Sequence, residues 1–555
     1  MAITQSDGRK LPARHRVRLR PNPGMPARCR VRASGSAPEA MAPPTKGKRS
    51  EMTPSPPVIS VEELIERIKA GPGGPRIAAF FDFDGTLIQG YSASALITHR
   101  ARNFELGPDE FVRTMRAALG GPLDEPAFKD LMLQGIRGWV GRTDDELLEL
   151  GQQLFAQEIA GALFHGTWRL VRAHQNKGHT VVIATSATRM QVQPMASELG
   201  IDHVLCTELE TEDGVLTGHI AGRPPWGEGK QAAVCEFARR EKIPLKNCHA
   251  YANGGEDVPF LDAVGFPHPI NPGSDLARHA AASGWHVVRF KTKRSQYHPM
   301  ALVRTTGVFG GFAAAVSAGA IVGVLTNDSR GGVDLATSLF GRLAGQLGNI
   351  QFDVIGEQHT TRRPAVFFIN HQSTLIDALV TSRVVQRGFT VVAKAEVKQI
   401  PVLGPLLNLA DVAFVDRSST SKAVSALQPA VDRLRAGISI AISPEGTRSL
   451  SPKVGAFKKG GFHLARDAGV PIVPIVIRNA GEIMWRNAKV AQEGTLEVVV
   501  HEPVPTADWT KADLDEWVPR MRELYVDTLD DWPGVDAGKK WSAAIAQASG
   551  SAART

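Results

Sequence analysis

FFDFDGTL, at residues 80–87, indicates the fold of the first half of the chain. It completes a short apolar run, residues 77–81, of the kind that forms a strand buried in a parallel sheet. Asp82 and Asp84 come directly after that run. Because ligands collect at the carboxyl ends of parallel strands, we expect these two carboxylates to lie at a binding site.

Strands and helices alternate around this motif, apart from an all-helical block at residues 90–165. Predicted strands at 179–184 and 249–252 are separated by helical sequence, which indicates a doubly wound parallel sheet with right-handed crossovers. The helical block is expected to form a cap over this sheet. The alternation returns between about 350 and 505, so the fold class is α/β with a second α/β domain.

Composition indicates a globular protein, with 43% apolar and 22% charged residues. This excludes a mostly disordered chain and a polytopic membrane protein. The net charge is +8, but residues 1–50 hold twelve Lys and Arg residues against two acidic ones, so the remainder carries −2. The basic character belongs to a tail, and we therefore expect no nucleic acid among the partners.

The middle of the chain has the pattern of a membrane-associated helical hairpin. Residues 305–325 contain no charge and would be about 31 Å long as a helix, enough to span a bilayer. Gly or Ala recurs there at every fourth residue, which favours close helix contact. We predict a hairpin that dips into one leaflet and turns at Gly331-Gly332, with both flanking domains in the cytoplasm. The alternative is a helix buried between the domains of a soluble protein.

These patterns divide the chain into five parts. They are a disordered basic tail (1–57), a sheet domain with a helical cap near 90–165 (58–298), the membrane-associated hairpin (299–348), a second α/β domain (349–535) and a disordered Ala/Ser-rich tail (536–555). The four cysteines form no pairing motif, which suits the reducing cytoplasm.

Three further motifs follow FFDFDGTL in order. Thr185 in VVIATSAT offers a hydroxyl to a phosphoryl oxygen, and Lys230 in GEGK offers a cation. Asn253 and Asp257 lie in AYANGGEDVPFL, after the predicted strand at 249–252. Of the two carboxylates in the first motif, one can attack phosphorus and the other can exchange a proton with the leaving oxygen. Neighbouring carboxylates also attract Mg²⁺.

The order of these motifs resembles the haloacid-dehalogenase-type phosphatases, specifically their phosphoserine-phosphatase-like branch, over residues 76–290. The resemblance implies Mg²⁺ as a cofactor and a role for each polar residue of the motifs. The implied roles are nucleophile for Asp82, general acid and base for Asp84, phosphate binding for Thr185 and Lys230, and metal binding for Asp82, Asp84, Asn253 and Asp257. At Asn253 the family has an aspartate, so Mg²⁺ binding is expected to be weaker. A retained fold with little turnover is the alternative.

The second α/β domain carries its own polar motifs. FFINHQSTLID contains His371 and Asp377, and a carboxylate that orients an imidazole helps it to take a proton from an attacking hydroxyl. SPEGTRS places Arg448 beside a glycine on a tight loop after a predicted strand at 439–442. A guanidinium in such a loop suits the oxygens of a phosphate.

With KAEVKQIPVLGPLLNLADVAFVDR (394–417) and VPIVPIVI (470–477), these motifs resemble the lysophosphatidic acid acyltransferases of the glycerolipid acyltransferase family. The resemblance implies acyl-CoA or acyl carrier protein as donor, lysophosphatidic acid as acceptor and phosphatidic acid as product, without a cofactor. It makes His371 the general base and Asp377 its orienting partner. The residues implied at the acceptor's phosphate are Glu445, Gly446, Thr447, Arg448, Lys394 and Arg417, with Lys458 and Lys459 of GAFKKGGF near the site.

The spacing of the His371 and Asp377 pair departs from this family. Four residues usually separate the histidine and the aspartate, whereas five separate them here. On a helix the extra residue would rotate the carboxylate by about 100°. We therefore expect either a local bulge to restore the pairing or another residue to take the place of Asp377.

Together the two halves predict a membrane-associated enzyme that acylates lysophosphatidic acid and has a fused, Mg²⁺-dependent phosphomonoesterase-like domain. Its expected partners are the lipid acceptor, the acyl donor and a lipid surface. The alternative is that the N-terminal domain is a non-catalytic module that docks or regulates the acyltransferase. Asn253 favours that alternative, whereas four intact motif residues oppose it: Asp82, Asp84, Thr185 and Lys230.

Overall fold

The computed structural model consists of two α/β domains joined by a helical hairpin. The residues that it describes are 55–103, 105, 107, 125–291, 298–394, 413–415 and 428–552. The predicted basic tail falls almost entirely outside this range.

The N-terminal domain is built on a parallel sheet. Its described strands are β1 (Val58–Ile59), β2 (Ala78–Phe81), β3 (Thr180–Thr188), β4 (His203–Thr207), β5 (Leu209–Glu212), β6 (Val215–Ile220), β7 (His249–Ala252), β8 (Phe266–Pro269) and β9 (Val287–Val288). Five of them form the sheet in the order β4-β3-β2-β7-β8, and every neighbouring pair is parallel. Because β2 lies between β3 and β7, Asp82, which follows its last residue, is located between the carboxyl ends of those two strands. The fold predicted from FFDFDGTL is confirmed.

Helices cover both faces of this sheet, because successive side chains of a strand point to opposite sides. Phe80 contacts Phe237 on one face, and Phe81 contacts His174 on the other. The described helices of the domain are Val61–Ala70, Ser92–Arg102, Glu125–Ile136, Asp144–Gln157, His165–Asn176, Arg189–Leu199, Glu228–Arg240, Val258–Asp262 and Ser274–Ser283. The second to fourth of these helices lie in the predicted cap.

The C-terminal domain has a larger, mixed sheet. Its described strands are β10 (Ile350–Ile355), β11 (Val366–Ile369), β12 (Phe389–Lys394), β13 (Ala413–Val415), β14 (Ser439–Ile442), β15 (Ile472–Ile477) and β16 (Gly494–Val500). They lie in the order β10-β16-β15-β11-β14-β12-β13, and only the β15-β16 pair among them is antiparallel. The described helices are Thr374–Val384, Gln428–Arg435, Gly460–Ala468, Ala480–Ile483, Asp513–Asp530 and Val535–Ala552.

The hairpin consists of the helices Pro299–Thr326 and Ser329–Gly348. Its turn lies at Asn327, which adopts the left-handed conformation (φ 52°), so the predicted turn at Gly331-Gly332 is wrong. Gly332 instead lies inside the second helix, where a Cβ would come within 2.4 Å of the carbonyl oxygen of Gly319. The small residues therefore permit close packing of the two helices, as predicted.

The last described helix corrects the prediction of a disordered C-terminal tail. Val535–Ala552 is helical, and Trp541 is buried against the ring of Trp517. The indole N–H of Trp541 donates to the carbonyl of Glu502 at 2.8 Å. The Ala/Ser-rich composition gave little sign of this, because one aromatic side chain supplies much of the packing.

Polar contacts hold the two domains together. The guanidinium of Arg172 binds Asp530 twice, with Nε to Oδ1 at 3.0 Å and Nη2 to Oδ2 at 2.7 Å. Lys69 Nζ lies 2.6 Å from Asp531 Oδ1. Bidentate arginine–carboxylate pairs fix orientation as well as contact, so the domains have a defined relative position.

Candidate active sites

Asp82 is held rigidly at the end of the central strand of the N-terminal sheet. Its main-chain N–H donates to the carbonyl of Tyr251 on β7 at 2.9 Å, which continues the sheet pairing by one residue. Its side chain is buried. Thr185 lies on the neighbouring strand β3, two residues beyond Ile183, which pairs with Phe81. The sheet therefore brings Thr185 to the same edge as Asp82.

A buried lysine joins two of the predicted acidic residues. Lys230 Nζ lies 2.9 Å from Asp82 Oδ1 and 2.5 Å from Asp257 Oδ1. Burial disfavours the charged amine, but the two carboxylates outweigh it and raise the pKa of Lys230. The ammonium is therefore charged, and it neutralises part of the negative charge at this edge of the sheet.

Asn253 approaches the same cluster from the loop after β7. The hydroxyl oxygen of Thr86 is 3.3 Å from Asp82 Oδ2 and 3.2 Å from Asn253 Oδ1. Gly85 has φ 76°, and a Cβ at this position would lie 2.2 Å from Asn253 Nδ2, so the close approach of the amide requires glycine. Carboxylate and amide oxygens thus converge here, and such oxygens suit Mg²⁺.

The carboxylate of Asp84 faces a different direction. Its Oδ1 accepts from the main-chain N–H of Ser92 at 2.7 Å, and its Oδ2 accepts from the Ser92 hydroxyl at 3.1 Å. Gln191 Nε2 in turn donates to Ser92 Oγ at 2.9 Å. Burial and the nearby Asp82 raise the pKa of Asp84 to about 7. The structure thus ties Asp84 to the first cap helix, and sequence reasoning missed both Ser92 and Gln191 because neither belongs to a motif.

In the C-terminal domain, His371 follows β11 and precedes the helix Thr374–Val384. His371 Nδ1 lies 2.7 Å from Asp377 Oδ2, and that oxygen also accepts the N–H groups of Gln372 (3.2 Å) and Ser373 (3.0 Å). The expected bulge is wrong, because His371 lies outside the helix and a rotation along the helix does not apply to it. Burial raises the pKa of Asp377, while His371 and the two N–H groups oppose the rise.

The carboxylate of Glu445 holds the loop that carries His371. Its Oε1 accepts from the main-chain N–H of His371 at 2.8 Å, and its Oε2 accepts from Gly455 at 2.7 Å. The side chain is buried. Both oxygens are therefore occupied by main-chain donors, and Glu445 faces the histidine loop.

The other polar side chains of SPEGTRS and GAFKKGGF contact different parts of the molecule. Gly446 has φ 71°, and the side chain of Lys458 lies across it, 3.0 Å from where a Cβ would be. Arg448 Nη1 donates to the carbonyl of Arg486 at 2.9 Å. Thr447 is exposed, and Lys459 pairs with Asp515 on another helix. The side chain of Lys394 and the whole of Arg417 lie outside the described residues.

Comparison with known proteins covers both halves. The family model of haloacid dehalogenase-like hydrolases matches residues 79–262, and the acyltransferase family model matches residues 351–478. A putative hydrolase of Mycobacterium leprae is 33% identical over 251 residues, which are 43% of this chain and 81% of that protein. A phosphoserine phosphatase of Mycobacterium tuberculosis is 33% identical over 254 residues, 43% of this chain and 80% of that protein.

A relative of the C-terminal half is a 1-acyl-sn-glycerol-3-phosphate acyltransferase of Saccharomyces cerevisiae. It is 34% identical over 181 residues, which are 32% of this chain. The chain spans 59% of the length of that yeast protein. The chain is therefore an enzyme that belongs to the haloacid dehalogenase-like hydrolases in its N-terminal half and carries an acyltransferase domain in its C-terminal half.

Proposed function

We propose that the C-terminal domain transfers an acyl group from acyl-CoA or acyl carrier protein to the 2-hydroxyl of lysophosphatidic acid, giving phosphatidic acid. The observation that carries this proposal is the 2.7 Å contact between His371 Nδ1 and Asp377 Oδ2. With Nδ1 occupied, Nε2 is the nitrogen left for a substrate hydroxyl. The activity in the name of the yeast relative supports the choice of acceptor.

In the proposed reaction, His371 Nε2 takes the proton of the acceptor hydroxyl while the oxygen attacks the thioester carbonyl. The new ester C–O bond forms and the C–S bond breaks, and the departing thiolate takes the proton back from the imidazolium. Asp377 holds the imidazole in the correct tautomer and stabilises its charged form. Glu445 keeps the histidine main chain in place through its contact with the His371 N–H.

We further propose that the N-terminal domain hydrolyses a phosphomonoester. Asp82 would attack phosphorus, the P–O bond to the alcohol would break, Asp84 would protonate the leaving oxygen, and water would release phosphate from Asp82. Thr185 and Lys230 would bind phosphoryl oxygens. Asp82, Asp84, Asn253 and Asp257 remain the proposed metal residues, and the oxygens of Asp82 and Asn253 that lie near the Thr86 hydroxyl support this proposal. Mg²⁺, when bound, would offset the charge of the phosphoryl group.

A second candidate role for the N-terminal domain is to dock or regulate the acyltransferase domain. The bidentate contact between Arg172 and Asp530 favours it, because it fixes one domain on the other. Asn253 favours it as well, since an amide lacks the charge of the family's aspartate.

For the hairpin we propose insertion into one leaflet, with both domains on the cytoplasmic side. Among the described residues, Pro299–Thr326 is a helix long and apolar enough to cross a membrane. Its exposed apolar side chains include Ile321, Val324 and Leu325, close to the turn. The second helix is fixed to the C-terminal domain, where the Asp334 carboxylate accepts from the N–H of Gly388 at 2.8 Å. Exposed apolar side chains beside a segment that is fixed to the C-terminal domain support shallow insertion.

The test of the proposed function uses the purified full-length chain in detergent micelles. Formation of phosphatidic acid from lysophosphatidic acid and acyl-CoA is measured, and phosphate release from a panel of phosphomonoesters is measured with and without Mg²⁺. Acyl transfer without phosphate release from any tested monoester would support the docking role. The absence of acyl transfer with both acyl-CoA and acyl carrier protein donors would refute the main proposal.

A further inference from the structure

Two arginines lie side by side next to the histidine loop. Arg448 Nη1 donates to the carbonyl of Arg486 at 2.9 Å, and Arg486 Nη1 donates to the carbonyl of Arg448 at the same distance. This exchange places two guanidinium groups in one small region. Arg486 lies beyond VPIVPIVI and belongs to none of the motifs found in the sequence.

Within the part of the chain that the structure describes, neither guanidinium forms an ion pair with a carboxylate. By contrast, Arg478 of the same domain pairs with Glu497 at 2.7 Å. Arg486 Nε is buried and lacks a hydrogen-bond partner among the same residues. Burial, and then the charge of Arg448, lower the pKa of Arg486. Among the described residues, no anionic side chain therefore partners the two arginines.

The arginine pair also lies close in space to the loop that carries the proposed general base. Ser449, which follows Arg448, donates its main-chain N–H to the carbonyl of His371 at 2.8 Å. A ligand held by these guanidiniums would thus be next to the loop that carries the imidazole. Two forked donors match the three oxygens of a phosphate, and charge-assisted bonds of this kind are strong.

We propose that Arg486 is a second phosphate-binding residue of the acyltransferase domain, which together with Arg448 binds the phosphomonoester group of the acyl acceptor. This inference rests on the proposed acyl transfer. It gives the acceptor site a preference for a phosphomonoester dianion, since two cations are neutralised by two negative charges.

The N-terminal domain supports the segment that carries Arg486. Trp485 lies against Gly161, where a Cβ would come within 2.6 Å of the indole, and its N–H donates to the carbonyl of Leu450 at 3.2 Å. Asn487 Nδ2 donates to the carbonyl of Ala156 at 3.0 Å. Contacts on both sides of Arg486 therefore come from the hydrolase-like domain, which would help to shape the acceptor site of the other domain.

The test compares Arg486→Gln, Arg486→Lys and the wild-type chain in acyl transfer from acyl-CoA to lysophosphatidic acid in micelles. Loss of a charge-assisted contact should raise KM for lysophosphatidic acid about 10- to 100-fold, with kcat changed less than about threefold. Arg486→Lys should recover part of the loss. KM for acyl-CoA should not change, which separates the acceptor's phosphate from the phosphates of the donor. Arg239→Gln removes an exposed arginine and serves as the matched control.

An unchanged KM for lysophosphatidic acid in Arg486→Gln, a rise confined to acyl-CoA, or an equal rise in Arg239→Gln would overturn the inference. Thermal stabilisation by lysophosphatidic acid gives a second measurement that needs no turnover. If the wild-type chain transfers no acyl group, the proposed function is refuted. The thermal measurement then still tests whether the two arginines bind lysophosphatidic acid. Stabilisation of the wild type and its loss in Arg486→Gln support the site, whereas equal stabilisation refutes it.

Discussion

The two candidate active sites differ in whether their charged side chains form ion pairs within the protein. In the N-terminal domain, Lys230 lies between Asp82 and Asp257, so a side chain of the protein offsets part of the negative charge before any ligand binds. In the C-terminal domain, Arg448 and Arg486 lie together without a carboxylate among the described residues, and a substrate anion would complete the balance. A motif match therefore does not show which charged side chains are available to a ligand, because that depends on which of them already form ion pairs within the protein.

The largest expected effect is at Asp82, the proposed nucleophile of the first site. Asp82→Asn replaces the carboxylate with a poorly nucleophilic amide, so Mg²⁺-dependent phosphate release should fall to the background rate, while acyl transfer stays within about twofold of wild type. Phosphate release and phosphatidic acid formation are measured on the same preparation. Asp275→Asn, at an exposed ion pair, is the matched control. Substantial phosphate release by Asp82→Asn would remove Asp82 from the mechanism.

The corresponding change in the second site is His371→Ala. It removes the proposed base, and acyl transfer should fall about 10²- to 10⁴-fold, with phosphate release unaffected. His219→Ala changes an exposed histidine of the other domain and should leave both activities unchanged. Acyl transfer by His371→Ala within a factor of about two of wild type would contradict the assignment of the base.

The two domains should also differ in their response to acid. Burial lowers the pKa of His249 to about 4, and it lowers the pKa values of His174 and His268 well below 6.5. In the unfolded chain these histidines take up protons near pH 6.5, whereas in the folded chain they stay neutral until about pH 4 or below. The free energy of unfolding of this domain is therefore highest above pH 6.5 and decreases as the pH falls from 6.5 through 4. For His249 alone the loss is about 3 kcal/mol.

Hydrogen exchange of the full chain at pH 7.5 and pH 4.5 measures this difference. Amides of β7 should lose more protection at the lower pH than amides of β15. The domain of β15 contains His501, whose pKa burial lowers to about 4, but no cluster of such residues among those described. His249→Gln should reduce the pH dependence, whereas His219→Gln should not. Equal loss of protection in both strands would contradict the expected order.

The smallest expected effect concerns the metal. Asn253→Asp restores the charge that the hydrolase family carries at this position, and ligand charge strengthens Mg²⁺ binding at oxygen sites. The Mg²⁺ concentration for half-maximal phosphate release should fall by about tenfold, with no effect on acyl transfer. An unchanged Mg²⁺ dependence would mean that Asn253 does not limit metal binding.

Both sheet folds and the residues of the main motifs could be predicted from sequence, because each polar motif follows a short apolar strand. The histidine–aspartate spacing was harder to interpret. The sequence does not reveal that His371 lies before its helix, so the expected bulge was wrong. Glu445 could be located but not oriented, since its partners, the N–H groups of His371 and Gly455, lie on different segments.

The two α/β domains, the order of their motifs and the close-packed hairpin follow from the sequence alone, because local patterns of apolar residues and glycines specify them. Three other features are visible only in the folded molecule: the turn of the hairpin at Asn327, the contact of Ser92 with Asp84 and the packing of Trp541 in the last helix. The same is true of the pairing of Arg448 with Arg486. These features depend on contacts between residues far apart in the chain, or on which backbone groups a helix end leaves unpaired, and a single sequence carries no direct signal for either.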